Sequence, residues 1–118
     1  MEKSNISITA ETLDEFLQKV GEEELLSAEE EKDIIKRIQS GEIDALERLI
    51  RANARFVVSV ANQYQNRGST MVELINAGIK GIAHAAENYN LACDEKFITY
   101  AVGIMRQSIL ESVQSKKQ

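Results

Sequence analysis

Residues 51–68 read RANARFVVSVANQYQNRG, and residues 97–110 read FITYAVGIMRQSIL. Apolar residues recur in the first stretch at the three- and four-residue spacing of one helix face: Phe56, Val57, Val60, Ala61 and Tyr64. The neighbouring valines Val57 and Val58 would also suit a strand, but the helical spacing continues to Tyr64 and favours a helix. The second stretch is also predicted to be a helix. These two segments together indicate a helical protein.

Start and stop signals divide the rest of the chain into further helices. Ser27 with Glu30, and Thr70 with Glu73, have the spacing of capping boxes, in which each side chain accepts a hydrogen bond from the other residue's backbone. We expect helices over Thr12–Val20, from Ser27 to Gly41, from about Glu42 through Ile50, over Asn53–Asn66, from Thr70 through Ala86, and from Lys96 to Val113. The predicted fold is all-α, a single compact bundle of about five to six helices.

The chain has 118 residues, of which 43% are hydrophobic, and this is enough for one compact domain. It has no proline and six glycines, which favours long helices. Residues 1–10 are expected to form a flexible leader, residues 11–113 the helical domain, and residues 114–118 a frayed tail.

Charge is distributed unevenly along the chain, whose formal net charge is −5. Residues 1–50 carry a net charge of −8, whereas residues 51–118 carry +3. A basic C-terminal half suits a phosphate backbone, but charge alone favours the simpler interpretation that both halves are solvated helix faces. The single cysteine and the lack of a signal-like or membrane-spanning stretch indicate a cytoplasmic protein without a membrane partner.

Signals of enzymatic chemistry are almost absent. His84 lies within an apolar helix, with Glu87 as its only local partner, and Cys93 has no second cysteine or histidine at metal-binding spacing. No phosphate-binding glycine loop or nucleophile motif is present. We therefore expect no catalytic residue, no metal and no cofactor.

The last predicted helix carries a different set of side chains. Phe97 and Tyr100 share a face, and Arg106 and Gln107 follow about two turns later. Aromatic rings stack on unpaired bases, while Arg and Gln can hold phosphates or base edges. The alternative is that the two rings belong to the core and that Arg106 and Gln107 are simply solvated.

From about Leu13 to Leu110, the chain resembles regions 1.2 and 2 of the bacterial sigma-70 family of transcription initiation factors. The string LLSAEEEKDIIKRIQSGEIDALERLIRANARFVVSVANQYQNRG carries most of this resemblance. The chain is most similar to primary sigma factors of the Bacteroidetes type, in which a Leu-Ile-Asn triplet, here residues 74–76, precedes the glycines of the next helix.

The resemblance implies two partners, RNA polymerase core and promoter DNA. Docking on a coiled coil of the largest polymerase subunit would use Glu73, Leu74, Asn76, Gly78 and Ile82. Binding of the non-template strand of the promoter −10 element would use Asn53, Phe97, Thr99, Tyr100, Arg106 and Gln107. The implied function is transcription initiation by capture of flipped bases.

The chain departs from the family pattern at several of these surfaces. Gly103 and Ile104 stand where the family has two tryptophans that wedge against the duplex, and Glu111 stands where it tends to have arginine. Ala77 and Ile79 replace a glutamate and an asparagine in the polymerase-binding helix. These changes motivate an alternative function, a sigma-derived interaction module that binds or competes for polymerase, or binds another regulator, without melting promoters.

Overall fold

A computed structural model describes residues 7–22 and 25–116 of the chain. This part contains six α-helices and no strand, which confirms the predicted all-α fold. The helices are α1 (Leu13–Lys19), α2 (Ala28–Gln39), α3 (Ile43–Ala52), α4 (Ala54–Asn62), α5 (Met71–Asn88) and α6 (Phe97–Lys116).

Both predicted capping boxes form. At the start of α2, the Ser27 N–H donates to Glu30 Oε1 at 2.9 Å, and the Glu30 N–H donates to Ser27 Oγ at 3.1 Å. The hydrogen bonds from Ser27 lower the pKa of the Glu30 carboxyl group. Thr70 and Glu73 make the same pair of bonds at the start of α5, at 2.8 and 3.1 Å. These bonds satisfy backbone donors that have no partner within the helix.

Helices α5 and α6 form the central pair of the bundle, and Gly81 lets their backbones approach closely. A Cβ added at Gly81 would lie 2.8 Å from Met105 Cα and 3.3 Å from the Ile104 carbonyl oxygen. At Gly78, three residues earlier, an added Cβ would lie 3.1 Å from Val57 Cγ1 of α4. Small residues along one face of α5 therefore set its distance from both neighbours.

One row of side chains at four-residue spacing fixes the orientation of α6. This row is Phe97, Ala101, Met105, Ile109 and Val113, and none of its members is more than 2% exposed. Because these residues all face the core, the opposite side of α6 faces solvent. The Ser108 hydroxyl donates to the Ala77 carbonyl at 2.8 Å and further ties α6 to α5.

Helix α2 is joined to the far end of α5 by Gln39. Its amide Nε2 donates to the Ala86 carbonyl at 3.0 Å and to the Tyr89 carbonyl at 2.9 Å. The carbonyls at a helix C-terminus have no intrahelical partner, so this single amide supplies two of the missing bonds.

Helices α3 and α5 end two residues later than expected, at Ala52 and Asn88, and the structure differs from the expectations in three further places. Helix α4 ends at Asn62 instead of Asn66, because residues 63–66 form turns and Asn66 adopts a φ of 68°. Helix α6 continues to Lys116, three residues beyond its predicted end. Ile8, within the predicted leader, is only 8% exposed and belongs to the core cluster.

The division into leader, domain and tail otherwise stays a prediction. Residues 1–6 of the predicted leader and residues 117–118 of the predicted tail lie outside the described residues.

The close approach of α5 and α6 at Gly81 predicts that a larger residue there destabilises the fold, and Gly103 provides a control position. We expect Gly81→Ala to lower the free energy of unfolding by about 1–3 kcal/mol, because the methyl group would overlap the α6 backbone. Gly103, on the solvent side of α6, has no atom within 4 Å of an added Cβ. Gly103→Ala should therefore raise the free energy of unfolding by roughly 0.5–1 kcal/mol. Urea denaturation of both variants tests this, and unchanged stability of Gly81→Ala would contradict it.

Candidate functional site

The solvent face of α6 brings together four of the six residues that sequence similarity suggests for DNA binding. Thr99, Arg106 and Gln107 are exposed, and Tyr100 is half-buried. Gly103 lies between them and is also exposed, so the middle of this face carries no side chain. The result is a shallow surface with one aromatic ring near one end and a guanidinium group with an amide farther along.

Phe97 does not lie on this face. Its side chain is 1% exposed and packs edge-on against Tyr89, with ring centroids 5.3 Å apart and an interplanar angle of 86°. Tyr100 approaches the same Tyr89 ring at 5.7 Å, tilted by 44°. The three rings form one aromatic cluster in which Tyr89 is central and Tyr100 extends outward to solvent.

Tyr89 is held in place by the loop between α5 and α6. Its hydroxyl donates to the Glu95 carbonyl, and the Cys93 thiol donates to the same carbonyl at 3.6 Å. Burial raises the pKa of Tyr89 to about 12, and Cys93 and the carboxylates of Glu31 and Glu95 add to the shift. Partial burial also raises the pKa of the Glu31 carboxyl group on α2.

Asn53, the sixth suggested DNA-binding residue, lies at the junction of α3 and α4. Among the residues that the structure describes, Asn53 is the polar residue that lies buried in the core, and it is 5% exposed. Its side-chain amide donates to the Leu49 carbonyl at 2.9 Å, and its own carbonyl accepts the N–H groups of Phe56 and Val57. Asn53 is thus both the C-cap residue of α3 and the N-cap residue of α4.

The residues suggested for polymerase binding divide into a buried and an accessible group on α5. Leu74 and Ile82 are 0% exposed, and Gly78 is buried against Val57. The side chains of Leu74 and Ile82 therefore pack inside the bundle, and Gly78 likewise offers no exposed surface. Glu73 and Asn76 are only partly buried and reach the outside of α5.

The side-chain amide of Asn76 is hydrogen-bonded to the backbone of Ile8. Its Oδ1 accepts the Ile8 N–H at 2.8 Å, and its Nδ2 donates to the Ile8 carbonyl at 2.8 Å. A side-chain amide has the same donor and acceptor pair as a peptide group, so it can bond both polar atoms of one residue. The N-terminal segment thus lies directly on the accessible face of α5.

An open cleft of about 740 Å³ adjoins this contact. Helices α3, α5 and α6 and the residue before Ile8 all contribute to its lining. The residues that bear on the site are Ser7, Glu73, Asn76, Ala77, Ile79, Lys80 and Glu111. The cleft therefore combines apolar walls with acidic, basic and amide groups at its edge.

The structure also describes His84 and Cys93, the two residues considered for enzymatic chemistry. His84 is exposed, and Cys93 is a partly buried free thiol. Within residues 7–22 and 25–116, no cluster of three histidine, cysteine, aspartate or glutamate side chains could hold a metal ion. In the same part of the chain, no helix is long and apolar enough to cross a membrane.

Sequence reasoning missed two residues that organise the site. Tyr89 continues the apolar periodicity of Ile82, Ala85 and Ala86, and this spacing could have placed it in the core. Ile8 is a lone apolar residue in a polar stretch, and no local pattern indicates that it pairs with a residue 68 positions away.

Comparison with known proteins identifies the class of this helical body. The family model for sigma-70 region 2 matches residues 49–118, which is more than half of the chain and includes all of α4, α5 and α6. The chain belongs to the sigma-70 family, as its motifs indicated.

Curated relatives agree with this assignment. Over 98 residues, the chain is 40% identical to the RNA polymerase sigma factor SigA of Listeria monocytogenes and 39% identical to that of Clostridium acetobutylicum. Each alignment covers 83% of this chain and 26% of the relative. The chain thus spans about a quarter of the length of these sigma factors.

The environment of Tyr89 predicts the response of the fold to alkaline pH. Since the phenol ionises near pH 10 in an unfolded chain and near pH 12 in the folded one, its ionisation favours unfolding. Its contribution to stability is fully present below about pH 10 and is lost as the pH rises toward about 12. Tyr89→Phe should therefore lose less stability than the wild type between these pH values. Urea unfolding across this interval measures the difference, and parallel losses would refute the prediction.

Proposed function

We propose that this chain acts in transcription initiation in the cytoplasm, docking on RNA polymerase core and contacting the non-template strand of the promoter −10 element. Membership of the sigma-70 family supports a role with polymerase and promoter. The observation that carries the DNA contact is the solvent face of α6, where Thr99, Tyr100, Arg106 and Gln107 are accessible together. The function is binding and not catalysis.

Tyr100 is the proposed stacking platform for an unpaired base. Its ring is supported from behind by Tyr89, so it need not lose much side-chain freedom when a base stacks on it. Stacking of a base on an aromatic side chain is worth roughly 1–3 kcal/mol. Phe97 and Asn53 are proposed to contribute from inside the protein, Phe97 by supporting the aromatic cluster and Asn53 by fixing the α3–α4 junction.

Arg106 and Gln107 are proposed to contact the DNA farther along α6. Arginine binds phosphate or guanine edges, and glutamine can pair with adenine through two hydrogen bonds. Glu111, one turn beyond Gln107, is exposed and would repel a phosphate backbone. The favourable DNA surface therefore ends between Gln107 and Glu111.

Docking on the polymerase is proposed for the accessible face of α5. Glu73 and Asn76 supply polar groups there, while Leu74, Gly78 and Ile82 set the packing of the helix behind them. The adjoining cleft of about 740 Å³ provides concave surface for a partner helix. Ala77 and Ile79 line this cleft and make it more apolar than the family pattern implies.

The DNA contact is tested with a labelled single-stranded −10 oligonucleotide and the complex of this chain with polymerase core. We expect Tyr100→Ala to weaken binding about tenfold, because one stacking platform is lost. Lys32→Ala, a change at an exposed residue of α2, should leave the affinity unchanged. Fluorescence anisotropy measures both. Equal binding by wild type and Tyr100→Ala would exclude Tyr100 as the platform.

A second function, polymerase binding without promoter melting, is favoured by one observation. Gly103 faces open space and Ile104 packs against the core cluster, so no side chain projects from α6 where a wedge would separate the strands. The chain would then bind polymerase, and at most hold strands that are already separated.

Restoring the wedge distinguishes the two functions. A side chain added at Gly103 would start in open space, because no atom lies within 4 Å of an added Cβ. We expect the chain with Gly103→Trp and Ile104→Trp to open a −10 duplex at least about tenfold more often than the wild type, since unstacking costs a few kcal/mol. A fluorescent base analogue at the −10 element reports opening in the polymerase complex. Full opening by the wild type would eliminate the second function.

A further inference from the structure

The pairing of Ile8 with Asn76 places part of this chain on the surface proposed for its partner. Asn76 uses both polar atoms of its amide on the backbone of Ile8, each at 2.8 Å. The Ile8 side chain is 8% exposed and joins the core cluster. The preceding residue, Ser7, lines the same cleft as Asn76, Ala77 and Ile79. This segment therefore contacts α5 through the backbone of Ile8.

We propose that residues 7–9, here called the strap, are an intramolecular competitor for the polymerase-docking face of α5 and must leave before the polymerase binds. This inference rests on the proposed function, because it concerns the same face. Two hydrogen bonds turn both polar atoms of the Asn76 amide toward Ile8, and the strap lies against the amide on that side. A polymerase side chain cannot take the place of the Ile8 backbone at this amide while the strap is bound. Closure of the strap therefore lowers the apparent affinity for polymerase.

The strap is attached weakly enough to be released. Among residues 7–22, Ile8 is the only one that is buried, and α1 buries none of its seven residues. Thr9 ties the strap to α1 through its N–H, which donates to Thr12 Oγ1 at 2.8 Å, and through its carbonyl, which accepts the Thr12 N–H at 3.1 Å. Leu13 and Phe16 of α1 pack against the core but stay partly exposed. Segments with few fully buried apolar groups open at low cost, so the strap and α1 can leave together.

The α5 residues that line the cleft beside the strap include apolar side chains that are largely buried. Ala77 and Ile79, two apolar residues on this helix, are 9% and 6% exposed. Ser7, at the start of the strap, lines the same cleft as both residues. Because burial of apolar groups is favourable, apolar residues at these positions suit a cleft that is closed to water.

The test uses the full chain with Ile8→Asp, which removes the buried side chain and leaves α5 and α6 unchanged. Competition against a labelled complete primary sigma factor measures the apparent affinity for polymerase core. We expect Ile8→Asp to bind about three- to tenfold more tightly than the wild type, because removing the competitor raises the binding-competent fraction. Ile8→Ala should give a smaller gain. Lys32→Asp, a charge change at an exposed residue of α2, should leave the affinity unchanged.

Hydrogen–deuterium exchange gives a second readout. The Ile8 amide is bonded to Asn76 in the free wild type, so it should exchange slowly there, and faster once polymerase core is bound or Ile8 is replaced by aspartate. Tighter binding of Ile8→Asp together with faster exchange in the wild-type complex supports the strap. If the wild type binds core and Ile8→Asp binds no more tightly, the strap is refuted and polymerase docking stands. If no variant binds core, the proposed function fails, and the strap as its regulator fails with it.

Discussion

The close contact of α5 and α6 at Gly81 is the constraint on which the two proposed surfaces depend. The backbones approach so closely there that even a methyl group would meet Met105 Cα at 2.8 Å. Helices at this distance cannot rotate freely against each other, since side chains on either side interlock. Fixing the inner row of α6 fixes its outer row as well, and the same contact leaves Asn76 on the outside of α5.

The two surfaces differ in how they are built. On α6, accessible residues stand on a rigid helix, with Tyr100 supported by the buried pair Tyr89 and Phe97. On α5, the accessible amide of Asn76 is already engaged by Ile8, and the neighbouring cleft has apolar walls. The side proposed for DNA is thus preformed, whereas the side proposed for polymerase is occupied within the chain.

Local patterns in the sequence were sufficient to predict the helices and where they start. They were insufficient to predict features that depend on contacts between distant residues. The capping residues Ser27 and Thr70 act on bonds within one turn, so spacing alone predicted them. The early end of α4 depends on turns that place Asn66 at positive φ, which periodicity does not encode. Similarity to the family suggests that Phe97 lies at the surface, whereas its apolar ring suits the core. Its position is explained by its packing against Tyr89, which the sequence does not reveal. The bond between Ile8 and Asn76 joins two segments with no shared pattern.

The amide of Gln39 joins the segment that matches the sigma-70 region 2 model to the residues before it. That match begins at residue 49, inside α3. Helix α2 lies entirely before that point, yet Gln39 bonds the carbonyls of Ala86 and Tyr89. A chain begun at residue 49 would leave these carbonyls without Gln39 and would strip the cover of Ile34, Ile35 and Ile38 from the core. The smallest autonomous folding unit therefore includes α2, and a melting curve would register both segments as a single transition.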